Sequence, residues 1–365
     1  MKIAMISYYL PSESKIGVGH QVHALANDLV SRGHSVTVFS PCRTPEGAHY
    51  AVHRVPVGRR LRTFRFAVNL RKEDFSSFDA LHAHGDDYWL WRRRVPVHVR
   101  TVHGSCFEEA KHIRGVVERT RMILLGCSEA LAAAVADHTV AVSPPTLRWL
   151  PGVSRVIPNG VSSEVFKPGT SRSAHPTILF VGTWGGRKRG GALAASFVAE
   201  VMPSLPTAEL RMVCQDAPEH LPDGVVVLGR LSEQELVAEY QQAWVFCLPS
   251  DYEGFGIPYA EAMACGTPVV TTPNPGALFV IEDGSSGEVV HLKSIGASLV
   301  ALLKDPQRRD ALARQGLRRV QKFTLREVAE RYESLYSLPP DRGLRARTRA
   351  FGSWIASMRS SRALS

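Results

Sequence analysis

Glu253 and Glu261 stand on either side of a glycine–proline turn, in the run Ser250-Asp251-Tyr252-Glu253-Gly254-Phe255-Gly256-Ile257-Pro258-Tyr259-Ala260-Glu261. The apolar stretch Trp244–Leu248 before it predicts a buried strand. Pro258 suits a first helical position, where its missing N–H costs nothing, and the spacing predicts a helix from about Tyr259 to Cys265 that stops at Gly266. The backbone N–H groups of Gly254, Phe255, Gly256 and Ile257 then gather at a helix N-terminus, which attracts anions and sugar or phosphate oxygens. Taken singly, either glutamate reads equally as a solvated acid. A second candidate lies in Gly182-Thr183-Trp184-Gly185-Gly186-Arg187-Lys188-Arg189-Gly190, where cations follow glycines directly after an apolar run. Such a loop cradles phosphates, or is a solvent-facing basic turn. Asp86, Asp87 and His103 come immediately after predicted buried strands, the position at which open α/β sheets place ligands.

The elements that must hold these residues alternate strand and helix. Met1–Tyr9 predicts a strand, Gly17-Val18-Gly19 a loop, and Val22, Leu25, Ala26, Leu29 and Val30 recur at helical spacing before Gly33 and the strand Ser35–Phe39. This βαβ start predicts a parallel sheet with right-handed crossovers. Val52–Val57, the run ending in His84-Gly85, and Val97–Val102 continue it, and Ile123–Cys127, Val140–Ser143 and a helical patch around Leu147 and Leu150 complete it. Residues 162–176, rich in Ser, Pro and Gly, read as a hinge. Beyond it, Thr177–Gly182, Leu210–Cys214 and Val225–Leu228 predict strands, and Ser232-x-x-Glu235 a capping box. Gly276, Gly284 and Gly287 mark loops, and helices are expected around 295–303, 306–323 and 325–336. The resulting plan is an N-terminal domain over 1–161, the hinge, a second domain over 177–322, a helix over 323–338 and a basic tail over 339–365.

Length and composition bound the function. A chain of 365 residues suits two domains, and 44% apolar with 21% charged residues is ordinary for globular protein. The six cysteines lack a C-x-x-C pair, which favours free thiols in a reducing, cytoplasmic compartment over disulfides or zinc. No run approaches the ~20 apolar residues that span a bilayer. The net charge of +10 is uneven: residues 1–160 carry +8, residues 161–338 carry −3 and the tail +5. An anionic partner would meet the first domain or the tail. Gly58–Phe66 interleaves arginines with aromatics, and Arg342–Arg362 sets arginines beside Phe351, Trp354, Ile355 and Met358. Either segment predicts peripheral contact with an anionic membrane, or a solvated basic surface. A nucleic-acid partner is not expected, because no recognition motif accompanies the high pI.

The glutamate-framed turn closely resembles the E-x7-E signature of retaining GT-B glycosyltransferases of family GT4 (group 1). The resemblance covers about residues 1–338 and implies an α/β GT-B fold, two Rossmann-like domains with the active site in the cleft between them. It implies transfer of a sugar, with retention, from a nucleotide diphosphate donor (UDP-sugar first, GDP-sugar second) to a hydroxyl of an unidentified acceptor. By this resemblance Glu253 orients the sugar, Glu261 the ribose, and His103 reaches the sugar from its far side. Lys188 holds the diphosphate, Gly17 and Gly19 lie against it, Arg230 follows the turn that meets the nucleobase, and the 254–257 amides complete the donor site. One departure stands out. The family carries an arginine where this chain has Thr183, so Arg187 or Arg189 must supply the second cation. Asp86 and Asp87 would face a cationic or polyhydroxylated acceptor. With no D-x-D element, neither a metal nor a separate cofactor is expected, the nucleotide sugar being a co-substrate. The departure at Thr183 also leaves room for a non-catalytic relative that only binds nucleotide sugars.

Overall fold

The computed structural model describes residues 1–12, 17–58, 61–91, 94–113, 115–150, 153, 155–282 and 284–339. The basic tail, and Arg59 and Arg60 of the basic segment, lie outside the described residues. The chain divides into two compact units, one built from Met1–Gly160 together with the segment from Leu325 onward, the other from Val161–Thr324.

The first unit is a seven-stranded sheet with every pairing parallel: β1 (Lys2–Ile6), β2 (Ser35–Ser40), β3 (Ala51–Arg54), β4 (Ala80–Ala83), β5 (Val97–Val102), β6 (His138–Ala141) and β7 (Arg155–Val156), in the order β3-β2-β1-β4-β5-β6-β7. Side chains alternate faces along a strand, and β1 shows it. Ile3 and Met5 enter a core with Val22, Leu25 and Leu29 of the helix Gly17–Ser31. Ala4 and Ile6 enter a different core with Phe66 and Leu70 of the helix Arg62–Leu70. Residues buried on both sheet faces explain why these strands read as unbroken apolar runs.

The chain's last described helix, Leu325–Tyr336, belongs to this unit, and Val328, Tyr332 and Tyr336 fill the Ile3–Met5 core. Its contacts are polar as well. His82 Nδ1 lies 2.7 Å from the Tyr336 hydroxyl and its Nε2 2.8 Å from Thr101 Oγ1, which in turn lies 2.7 Å from the Tyr332 hydroxyl. Glu333 accepts from Arg32 at 3.1 Å and pairs with His34 at 2.7 Å.

Three expected elements of this unit differ, the first being the Gly17–Gly19 loop, which opens the helix Gly17–Ser31. Ile123–Cys127 is not a strand: it lies inside the helix Val116–Val135, whose buried positions Met122, Gly126 and Ala130 fall one turn apart. The basic–aromatic segment is a helix from Arg62 rather than a loop. Its buried Phe66, Ala67 and Leu70 are spaced for one face, leaving Leu61, Phe64 and the arginines exposed.

The second unit is a six-stranded parallel sheet, β8 (Thr177–Val181), β9 (Glu209–Val213), β10 (Val225–Val227), β11 (Val245–Leu248), β12 (Val269–Thr271) and β13 (Glu288–Val289), in the order β10-β9-β8-β11-β12-β13. β11 is fully buried along its length and pairs with β8. The loops that leave these two adjacent strands therefore emerge side by side. The helix Ile257–Ala264 begins two residues earlier than its periodicity predicts, and Pro275–Ile281, read from the sequence as a loop, is a short helix capped by Asn274. Among the described residues no helix is long and apolar enough to cross a membrane, and no group of His, Cys, Asp and Glu is arranged to hold a metal ion.

Candidate active site

In the second unit the two loops emerging beside each other are the basic loop after β8 and the glutamate turn after β11. Their backbones are joined: the Arg187 carbonyl accepts from the Asp251 N–H at 2.8 Å and from Ser250 Oγ at 3.1 Å. The basic loop closes as a single 3₁₀ turn, Gly186–Lys188, and the carboxylate of Asp216 accepts from the N–H groups of Trp184 at 2.8 Å and Gly185 at 3.3 Å. No motif marks Asp216 in the sequence, because its role depends on a loop 31 residues away.

The glutamate turn is fixed from beneath by a buried polar network. The Ser250 carbonyl accepts from Thr272 Oγ1 at 2.7 Å and from Asn274 Nδ2 at 3.1 Å, and the Tyr259 hydroxyl lies 2.9 Å from Thr271 Oγ1. Two glycines allow the chain to pass. Gly256, at φ +92°, turns the backbone into the helix where an L side chain is strained. Gly276 abuts the turn itself, and a Cβ there would lie 2.7 Å from the Glu253 carbonyl oxygen. Among the described residues the N–H groups of Phe255, Gly256 and Ile257 donate to no protein oxygen.

Glu253 is buried, and its Oε1 accepts from Lys188 Nζ at 2.7 Å and Arg187 Nη1 at 3.0 Å. Burial alone would raise its carboxyl, but the two cations outweigh it and hold Glu253 below the usual carboxylate range. Arg189 is placed differently: it adopts a left-handed backbone at φ +58° and pairs with Asp251. Glu261, one turn into the helix, accepts from the Tyr240 hydroxyl at 2.9 Å. Burial lifts its carboxyl to about 7 in spite of that bond. Arg230 is exposed and follows Gly229, which sits at φ +67°.

The first unit holds the remaining candidates, and several need correction. Asp87 is not open to an acceptor. It is fully enclosed, 2.9 Å from His98 Nε2 and paired with Arg100, both buried residues of the neighbouring strand β5. Asp86, at φ +61° after Gly85, is partly exposed. Burial raises its carboxyl to about 7, with Arg100 opposing and Glu129 reinforcing the shift. Glu129, unmarked in the sequence, accepts from the Cys106 N–H and thiol, each at 3.1 Å.

His103 has one of its ring nitrogens taken up by a second imidazole. Its Nε2 lies 2.9 Å from His84 Nδ1 in a stacked pair, and its Nδ1 is enclosed. Burial lowers His103 to about 4, so both rings are neutral near pH 7 and one N–H bridges them. Gly17 and Gly19 form the first turn of a helix rather than a loop. Gly19 is buried there against the Tyr9 and Leu10 backbone, at 3.0 to 3.2 Å from a Cβ position, which gives that glycine a packing role.

The chain is 28% identical over 378 residues to the phosphatidyl-myo-inositol mannosyltransferase of Mycobacterium leprae, covering 92% of this chain and 96% of that one. Among solved structures, sucrose-phosphate synthase from Thermosynechococcus elongatus superposes with a TM-score of 0.77 at 22% identity, covering 92% and 98% of the two chains. Anabaena HepE, solved in complex with UDP and glucose, does so with 0.72 at 17% identity, covering 93% and 100%. Both agree with a GT-B fold of two parallel-sheet, Rossmann-like domains. The family model described as glycosyltransferase family 4 matches residues 16–165, and that described as glycosyl transferases group 1 matches residues 207–319. Together they take in well over half of the sequence, and the protein belongs to the family 4, group 1 glycosyltransferases.

Proposed function

We propose that the protein transfers a sugar from a nucleotide diphosphate donor, UDP-linked first and GDP-linked second, to an acceptor hydroxyl with retention at the anomeric carbon. The observation that carries this reading is the convergence of Lys188, Arg187 and Glu253 beside the open amides of Phe255–Ile257. In such a transfer the bond from the anomeric carbon to the diphosphate oxygen breaks as the acceptor oxygen bonds to that carbon, and the acceptor's proton passes to the departing diphosphate. Positive charge grows on the sugar and negative charge on the departing diphosphate. Preorganised cations and N–H groups lower that barrier most when they are aimed at the leaving group. Lys188 and the 255–257 amides take that role, Glu253 orients the sugar through its hydroxyls, and Glu261 accepts from the ribose.

The nucleotide donor is supported by the solved complex of HepE with UDP and glucose. The acceptor is a soluble polyol-type small molecule or an envelope glycan or lipid, the second supported by the inositol lipid in the mannosyltransferase's name. With Asp87 enclosed, Asp86 is the acceptor candidate in the first unit. Peripheral contact with an anionic membrane rests on exposed Leu61, Phe64 and Trp91 beside Arg62, Arg65 and Arg71. The test is a matrix of nucleotide sugars against inositol, inositol phosphate, phosphatidylinositol and simple glycosides, read by mass and by NMR of the anomeric proton. A glycoside should form only with acceptor present and keep the donor's anomeric configuration. An inverted product, or nucleotide binding without transfer to any acceptor, would count against the reading.

A further inference from the structure

Lys188 and Arg187 turn to the same carboxylate oxygen, Glu253 Oε1, at 2.7 and 3.0 Å. Arg187 is held there twice over. Its Nη1 also donates to the Tyr252 carbonyl at 2.6 Å, and its own carbonyl is tied to Ser250 and Asp251. Arg189, the other candidate for the cation missing at Thr183, turns to Asp251. The two arginines are therefore not equivalent: one shares a carboxylate with Lys188, and the other is matched to a separate acid.

This arrangement creates a competition. A diphosphate and the Glu253 carboxylate both want the same two cations, and they repel each other when both are close. An intact nucleotide sugar offers Glu253 something else to bind, the sugar's hydroxyl donors. A free nucleoside diphosphate offers it nothing.

Resting on the donor reading above, we infer that Arg187 is the second phosphate cation of this site and that Glu253 exchanges partners. It moves to the sugar when an intact donor is bound and back to Lys188 and Arg187 when only the nucleoside diphosphate remains. The exchange makes the site select intact donor over spent nucleotide and speeds release of the product. Glu253 thus acts on binding as well as on the sugar's orientation.

The test is titration calorimetry at pH 8 with UDP, GDP, ADP and dTDP, taking forward whichever binds the wild type most tightly. E253Q removes the competing charge while keeping the side chain's shape. It should bind the free nucleoside diphosphate about tenfold more tightly, the equivalent of ~1.4 kcal/mol, while its affinity for the intact nucleotide sugar does not rise. Arg187→Ala should weaken the nucleoside diphosphate at least tenfold and Arg189→Ala less than threefold. Melting curves identify any variant that fails to fold. If E253Q is one, Glu253→Asp, with a shorter reach to the cations, should give a smaller tightening. Unchanged or weaker nucleotide binding by the folded Glu253 variant overturns the exchange, and a larger loss from Arg189→Ala than from Arg187→Ala overturns the assignment of Arg187. Both leave the donor reading standing. A wild type that binds none of the four nucleotides removes the donor reading and this inference with it.

Discussion

Donor binding should expel a proton from Glu261. Burial holds this carboxyl near 7, against an ordinary 4.5, which corresponds to about 3 kcal/mol of preference for the neutral form. Ribose hydroxyls that donate to Glu261 favour the ionised form, so binding must pull its titration down. With a free-protein value near 7, about half a proton leaves per donor bound at pH 7, about 0.9 at pH 6 and about 0.1 at pH 8. Affinity for the intact donor should then fall about tenfold from pH 8 to pH 6. Calorimetry in buffers of different ionisation heat reads the released proton directly. The ligand should be a nucleotide sugar, because the terminal phosphate of a free nucleotide itself titrates near pH ~6. Glu261→Gln should abolish both the release and the pH dependence. Equal proton release from wild type and variant would refute the placement of Glu261 on the ribose. The sign for the unliganded protein is opposite in consequence. A carboxyl raised on folding adds stability that is complete below pH ~4.5 and is lost as pH rises through 7.

Four further outcomes are expected. Asp87→Asn should destabilise the first unit by ~3–5 kcal/mol in denaturant unfolding, because it leaves Arg100 buried without its carboxylate; a loss below 1 kcal/mol would show that the pair contributes little. Tyr336→Phe removes the hydroxyl facing His82 and should cost ~1–2 kcal/mol, with a Tyr332→Phe second change adding less than its own single effect, since both hydroxyls meet through Thr101 and His82. Transfer activity should survive exhaustive EDTA treatment; recovery only on adding Mg²⁺ or Mn²⁺ would show that Lys188 and Arg187 do not suffice for the diphosphate. Vesicles with anionic lipid should retain the full chain at low salt and release it when Phe64 and Trp91 are both changed to Ser, whereas equal retention would move the contact to the tail.

What could be read from the sequence depended on how far the deciding partner lies along the chain. The glutamate turn was legible because Gly254, Gly256, Pro258 and Gly266 punctuate it locally, and the strand before it is an unbroken apolar run. The helix expected around 325–336 has those bounds. Ile123–Cys127 misled because a short, mostly apolar stretch fits a buried strand as well as one part of a long helix. Asp87 misled for a different reason. Its partners come from β5, where His98 and Arg100 face the acid only after β4 and β5 align Leu81 with His98 and Ala83 with Arg100. His103 required the same non-local step, since His84 reaches it from another strand end. Arg187 and Arg189 take different carboxylates, and the left-handed backbone at Arg189 is something no composition signals.

The path of the backbone has one more consequence. The segment Val161–Thr324 begins and ends at the same place, with Val161 N–H on the Phe323 carbonyl at 2.8 Å and a bridge between Val161 and Thr324. It is in effect an insertion within the first unit. During synthesis that inserted segment has its whole sequence in hand before the earlier one does. The first sheet is made early, yet its Ile3–Met5 core stays uncovered until Val328, Tyr332 and Tyr336 leave the ribosome. The order of completion is thus the reverse of the order of translation, and a nascent chain stopped near Thr324 would carry a finished second unit and an exposed apolar face on the first, a natural substrate for chaperones.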